Sequence, residues 1–242
     1  MVRSHALVRA KDAVLRFLYP TDALCASCSR PIAEGTGCLC ADCAGAMPSI
    51  EGQRCRVCGR PDDSQDRVCR ECRRLPLEER AEGGAPFIHD GTAMKLVYAL
   101  KYGGVRAAAI PLAYGMAGRL PECVDALVPV PLHRRRLRER GFNQARVLCE
   151  EIVQETGLPI LDALERTVAT KQQMKLGADE RRVNVAGAFE VVEPVAGLRL
   201  VLVDDVRTTG MTAKACAKAL YENGALDVYI LTATLAMLNI KR

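Results

Sequence analysis

The chain has 242 residues, 49% hydrophobic and 26% charged, a length and composition that suit one α/β domain plus a small accessory module and exclude a disordered or collagen-like protein. No stretch approaches the roughly 20 apolar residues of a membrane span, and the first helix-like segment, His5 to Tyr19, carries Arg9, Lys11, Asp12 and Arg16, which argues against a signal or anchor and predicts a cytoplasmic protein. The net charge of +5 permits an anionic ligand of any size, whereas ten aromatic residues, none of them Trp, leave little material for base-stacking platforms.

Three regions follow in chain order: an N-terminal helix over 1–20, a cysteine-rich module over 21–76 and an α/β domain over 86–238. Twelve cysteines without an export signal point to metal ligation, because cytosolic thiols are held reduced. Eight of them form four C-x2-C pairs: Cys25/Cys28, Cys40/Cys43, Cys55/Cys58 and Cys69/Cys72. Cys25-Ala26-Ser27-Cys28 precedes Ser29-Arg30-Pro31, and thirty residues later Cys55-Arg56-Val57-Cys58 precedes Gly59-Arg60-Pro61, which marks a tandem repeat.

Two thiolates from one tight turn fill two corners of a tetrahedron and a second turn fills the other two, so each repeat can close a zinc site. The first would use Cys25, Cys28, Cys40 and Cys43, the second Cys55, Cys58, Cys69 and Cys72. The spacers are nearly equal, so an interleaved pairing stays open, and Cys38 is a competing ligand beside Cys40. Four protein ligands leave no position for water or substrate, so both zinc ions are expected to be structural, with binding energies on the order of 10–16 kcal/mol that a module poor in large apolar groups needs to fold. Thiol–disulfide exchange is the lesser alternative. Cys123, Cys149 and Cys216 stand singly and read as small buried hydrophobes.

From about Pro86 onward β-branched runs alternate with helical-period segments, the pattern of a mostly parallel sheet flanked by helices. Strands are predicted over Asp125 to Val130, Arg199 to Val203 and Asp227 to Leu235, and helices over Phe142 to Thr156 and Met211 to Asn223. The polar stretch from Thr167 to Gly187 reads as a loop near a site or a plain surface excursion. The densest chemistry lies in Leu200-Val201-Leu202-Val203-Asp204-Asp205-Val206-Arg207-Thr208-Thr209-Gly210-Met211-Thr212. A buried strand delivers two carboxylates to its carboxyl end, where open α/β sheets bind ligands. The hydroxyl-rich turn that follows surrounds one point with N–H groups and the positive end of a helix, which is what a phosphate monoester requires. Paired acids beside such a turn suit a ligand with both a phosphate and vicinal hydroxyls. No lysine follows Gly210, so this is not the Walker-type loop.

These thirteen residues resemble the phosphoribosyl-pyrophosphate signature of type I phosphoribosyltransferases. The resemblance implies that Asp204 and Asp205 hold the ribose hydroxyls, that Thr208, Thr209, Gly210, Met211 and Thr212 hold the 5′-phosphate, and that Mg2+ accompanies the ligand.

A second block runs Asp125-Ala126-Leu127-Val128-Pro129-Val130-Pro131-Leu132-His133 into Arg134, Arg135, Arg136, Arg138 and Arg140-Gly141-Phe142-Asn143-Gln144-Ala145. Together with the two cysteine repeats, Leu100-Lys101-Tyr102 and the Arg181 to Phe189 stretch with Asn184, it is similar to the ComF family of competence-associated, phosphoribosyltransferase-like proteins with a double zinc ribbon. By that resemblance the expected partners are phosphoribosyl pyrophosphate, single-stranded DNA and a DNA-uptake helicase. Six arginines against one glutamate between Arg134 and Arg146 form the strongest local positive field in the sequence. Lys101, His133, Arg134, Arg135 and Arg140 are the candidate contacts to pyrophosphate or to a nucleic-acid backbone. An active phosphoribosyltransferase with an unidentified acceptor and a ligand sensor are the alternatives; Pro129 and Pro131 remove two backbone donors where a leaving group would need them.

Overall fold

A computed structural model describes residues 24–32, 38–76, 80–166 and 188–237. The expected N-terminal helix and the polar stretch Thr167 to Gly187 lie outside the described residues. Within them, the two cysteine repeats contribute helices α1 (Ala41–Gly45) and α2 (Arg70–Arg73). Next come the short strands β1 (Gly83–Gly84) and β2 (Phe87–Ile88), then helices α3 (Gly91–Tyr102) and α4 (Ala109–Ala117). Strand β3 (Ala126–Pro129) leads to α5 (Arg134–Arg140) and α6 (Gln144–Thr156), and β4 (Leu164–Arg166) pairs antiparallel with β5 (Phe189–Val191). The chain returns through β6 (Arg199–Arg207), α7 (Met211–Glu222) and β7 (Asp227–Leu235).

The main sheet runs in the order β1, β7, β6, β3, with β2 continuing the β1 edge, and every pairing is parallel. Its central strand is covered on both faces, as its near-continuous apolar run requires. Val201 and Val203 pack beneath Leu96, Leu100, Leu112, Leu148 and Ile152 of the α3, α4 and α6 layer. Leu200 and Leu202 pack on Cys216, Ala217 and Leu220 of α7 and on Leu164 and Phe189 of the small hairpin. Asp90 caps α3, its side chain accepting from the Gly91 N–H, and Asn143 caps α6 by accepting from Ala145, so α6 begins at Gln144 rather than at Phe142.

Strand β6 runs further than its apolar stretch predicts. It was expected to end at Val203, but pairing with β7 continues through Asp204 and Val206 to Arg207 opposite Leu235. On its other edge the ladder stops once the Val130 N–H has bonded the Val203 carbonyl: the Val130 carbonyl accepts from the Asn143 side chain, and the Asp205 N–H donates to the Asp204 carboxylate instead. Both acids therefore stand on a strand that is paired on one side only, past the end of β3. Cys149 and Cys216 are fully buried as expected, but Cys123 is exposed, in the connection between α4 and β3. Among the described residues no helix is long and apolar enough to cross a membrane.

Candidate functional site

The two repeats have the same internal wiring. Leu24 bridges Pro31 as Arg54 bridges Pro61; the N–H of Cys25 bonds Arg30 as that of Cys55 bonds Arg60; and Ala26 bonds Cys38 as Arg56 bonds Arg67. Each repeat gathers its own four sulfurs, all within 4.8 Å of one another, which settles the pairing as sequential and leaves Cys38 out of both groups. Cys28 and Cys40 stand 3.8 Å apart, and Cys58 and Cys69 3.7 Å. A tetrahedron with zinc–sulfur bonds of about 2.3 Å has edges of about 3.8 Å, so both groups fit zinc. The Cys69 N–H donates to the Cys55 sulfur at 3.3 Å, orienting the thiolate for the metal. The clustered thiols titrate unequally. Although burial opposes it, N–H groups of Cys40, Cys28 and Ser27 hold Cys25 down to about 6, whereas burial pushes Cys69 up to about 12. Hydrogen bonds from Cys58 and Cys72 hold Cys55 well below the ordinary thiol range.

The second repeat docks on the sheet. The Gly83 N–H of β1 donates to the Arg56 carbonyl, in the turn between Cys55 and Cys58, at 2.9 Å. A Cβ on Gly59 would fall 2.7 Å from the Gly84 Cα, so backbone meets backbone there. Beside this contact lies Arg207, to which the sequence alone assigns no role. Its side chain folds back under the loop: Nε is 3.2 Å from where a Gly210 Cβ would stand and one terminal nitrogen 2.9 Å from that of Gly83. Arg207 is 5% exposed, and that nitrogen has no hydrogen-bond partner among the described residues. Burial lowers its pKa, which the nearby Cys58, Cys72 and Cys55 charges partly restore. A buried cation thus backs the hydroxyl loop from the side of the second cysteine group.

At the end of β6 the acids differ. Asp205 is 8% exposed and receives the Lys101 ammonium from α3 at 2.8 Å. Asp204 is partly exposed and accepts from the Asp205 N–H at 2.9 Å. Its water-poor surroundings and the charge of Asp205 push its carboxyl up to about 7, against that hydrogen bond and Lys101. The Thr234 hydroxyl of β7 donates to the Asp205 carbonyl at 3.2 Å and is bonded by His89 Nδ1 at 2.8 Å, so Nδ1 carries the proton. Burial, with Lys101, pushes the His89 imidazole below its usual value.

Thr208, Thr209 and Thr212 are exposed, Gly210 takes the left-handed φ of 73° that opens α7, and Met211 begins the helix. Three exposed threonines therefore flank the N-terminus of a twelve-residue helix, next to the acids in sequence.

The basic stretch divides in two. Lys101, Tyr102, Gly103 and Gly104 from the end of α3 and Arg136, Glu139 and Arg140 from α5 line a cleft of about 680 Å3. Arg140 lies over the Tyr102 ring at 5.2 Å and donates to Gln144 at 2.8 Å. His133, Arg134 and Arg135 do not line this cleft: His133 caps α5 by accepting from the Arg135 N–H, Arg135 pairs with Glu139 at 2.8 Å, and Arg134 is exposed at the first turn. Arg136, beside them in the basic stretch, does line it. Asn143, besides capping α6, donates to the Val130 carbonyl at 3.0 Å, so the Arg140 to Ala145 motif fastens the α5–α6 corner to the end of β3.

The family model described as a double zinc ribbon domain matches residues 14–73. The DNA utilization protein YhgH of Escherichia coli (strain K12) is 32% identical over 86% of this chain and 94% of its own length. Competence protein ComFC of Bacillus subtilis (strain 168) is 26% identical over 77% of this chain and 79% of its own, and competence protein F of Haemophilus influenzae 28% over 86% and 88%. Similar solved structures include the glutamine phosphoribosylpyrophosphate amidotransferase of B. subtilis, at 21% identity and a TM-score of 0.40 over 53% of this chain and 26% of that one. A hypoxanthine phosphoribosyltransferase from Staphylococcus aureus shows 9% identity and a TM-score of 0.34 over 57% and 69%. With its two four-cysteine groups, its parallel sheet and a relative matched along nearly its whole length, the chain belongs to the ComF family of DNA utilization and competence proteins.

Proposed function

We propose that the chain binds phosphoribosyl pyrophosphate with Mg2+ at the end of β6 and serves DNA uptake in the cytoplasm by handling single-stranded DNA. The observation that carries this reading is the succession, past the end of β3, of two acids, a buried arginine with one terminal nitrogen unpartnered among the described residues, and an exposed hydroxyl turn at the start of α7. Asp204 and Asp205 accept from the ribose hydroxyls, and Thr208, Thr209, Gly210, Met211 and Thr212 receive the 5′-phosphate. Arg207 beneath the turn adds a positive field that costs no reorganisation when the phosphate arrives. Lys101, Arg136 and Arg140 hold the pyrophosphate end or a nucleic-acid backbone in the cleft. His133, Arg134 and Arg135 extend that positive field along α5. The names of the relatives, DNA utilization and competence, favour DNA as the macromolecular partner; a DNA-uptake helicase is the companion that the family likeness implies.

Isothermal calorimetry with phosphoribosyl pyrophosphate and Mg2+, then with a short single-stranded oligonucleotide, tests both halves. Saturable heat with each is expected, and the first is lost in Asp205→Asn. Absence of the first heat in the intact protein rejects the sugar-phosphate site. The acid pair next to a phosphate turn equally suits an active phosphoribosyltransferase, which would release pyrophosphate once given its acceptor base.

A further inference from the structure

The sparse aromatic residues are not scattered. Tyr98 and Tyr102 stand one turn apart on the face of α3 opposite Leu96, Val97 and Leu100, and their rings are 54% and 70% exposed as residues. Their centroids are 5.5 Å apart. His89 stacks on Tyr98 at 6.4 Å with its plane inclined by 25°, and Arg140 covers the Tyr102 ring at 5.2 Å. The result is one row, His89, Tyr98, Tyr102, Arg140. It starts at the Thr234 and Asp205 end of the site and finishes in the basic cleft, where Lys101 projects from the same helix turn. An exposed tyrosine pair contributes only a few tenths of a kcal/mol to a helix, which does not account for a row of π faces leading into a cationic cleft.

We propose that this row is a stacking platform for the unpaired bases of single-stranded DNA, whose phosphates run through the cleft on Lys101, Arg136 and Arg140. The proposal rests on the single-strand half of the function above and assigns it a surface. Bases in a duplex hide their faces against one another, whereas a single strand can lay them on exposed rings. The arginine over Tyr102 extends the row with a planar cation on which a base can also stack. Glu139 in the cleft wall is held by Arg135, so it does not cancel the positive lining.

The test is fluorescence anisotropy on the full chain with a labelled oligothymidylate and with an abasic oligonucleotide of equal length, over a series of salt concentrations. The double variant Tyr98→Ala, Tyr102→Ala should bind oligothymidylate at least about tenfold more weakly, bind the abasic strand as the parent does and keep its salt slope. Tyr98→Phe with Tyr102→Phe keeps the rings and should restore binding. Arg136→Gln with Arg140→Gln should weaken both strands and flatten the salt dependence. Parent-like oligothymidylate binding by the alanine variant overturns the platform yet leaves single-strand handling in place. A parent that binds neither strand overturns both. Tyrosine-dependent binding of thymidine monophosphate without binding of the strand also overturns the proposal and gives the rings to an acceptor base.

Discussion

The Lys101 ammonium lies 2.8 Å from an Asp205 carboxylate oxygen, and this pair ties the last turn of α3 to the open end of β6. Both side chains are sheltered, 19% and 11% exposed, so the pair is neither freely solvated nor replaceable by water. Removing one partner leaves a poorly hydrated charge behind, and for Asp205 that charge faces Asp204 as well.

Lys101→Met is therefore expected to destabilise the protein by about 2–4 kcal/mol, as breaking a largely buried pair does. In an Asp205→Asn background the same change should cost at least about 1 kcal/mol less, because no carboxylate is then stranded. Urea denaturation of the four proteins of this cycle measures the coupling. Additive effects would mean that the two side chains act independently.

The acid pair also sets a pH dependence. The Asp204 carboxyl, pushed up to about 7 in the fold, keeps its proton where the unfolded chain has lost it, above about pH 4. The folded state then binds more protons than the unfolded one, so this group's contribution falls as pH rises from about 4 to about 7 and is level above. Asp204→Asn, which can still accept from the Asp205 N–H, should raise stability at pH 8 on the order of 2–4 kcal/mol and leave it unchanged near pH 4. Melting temperatures of both proteins from pH 4 to 8 show this as a difference that grows with pH. His89 is common to both proteins and drops out of the difference.

The repeats offer a control within one chain. Ser29 and Gly59 follow the first C-x2-C pair of each repeat and share the left-handed conformation, at φ 57° and 77°. Only Gly59 lies against the Gly84 backbone. Gly59→Ser should lower stability by about 2 kcal/mol or more and loosen the second repeat from β1, whereas Ser29→Gly should shift stability by less than about 1 kcal/mol. Thermal melts of the two variants measure the asymmetry; hydrogen exchange at Gly83, whose N–H bonds Arg56, reports the docking directly.

Why Gly59 is glycine was not legible from the sequence, where Ser29 and Gly59 look like interchangeable turn residues; the difference lies in what each touches. The eight cysteine ligands were legible because metal geometry leaves its mark in local spacing, and β6, α7 and β7 because a strand buried on both faces and an amphipathic helix leave theirs. Lost were features made by partners distant in the chain. The continuation of β6 through Arg207 depends on pairing with β7, not on apolarity, and the row from His89 to Arg140 joins residues 51 positions apart. Arg207 has no local pattern at all: a cation among threonines reads as a surface turn until the strand that carries it is seen to run under the loop. Lys101 was picked out by family likeness alone, and its bond to Asp205 gives that likeness a physical content.

The two four-cysteine groups should part with metal at different rates. In the first, Cys25 and Cys43 are buried but Cys28 and Cys40 are partly exposed; in the second, all four cysteines are buried against Val57 and Val68. A chelator must reach a metal–sulfur bond to displace it, so zinc held by the first group is exposed to attack while zinc held by the second waits for the repeat to open. Zinc transfer to a chromogenic chelator should thus proceed in two phases of equal amplitude. Cys28→Ser should remove the fast one and Cys58→Ser the slow one, each leaving one zinc per chain. Gly59→Ser, which loosens the second repeat from β1 without touching a ligand, should accelerate the slow phase and leave both amplitudes intact. A single phase, or an unchanged slow rate in Gly59→Ser, would mean that docking on the sheet does not protect the second metal.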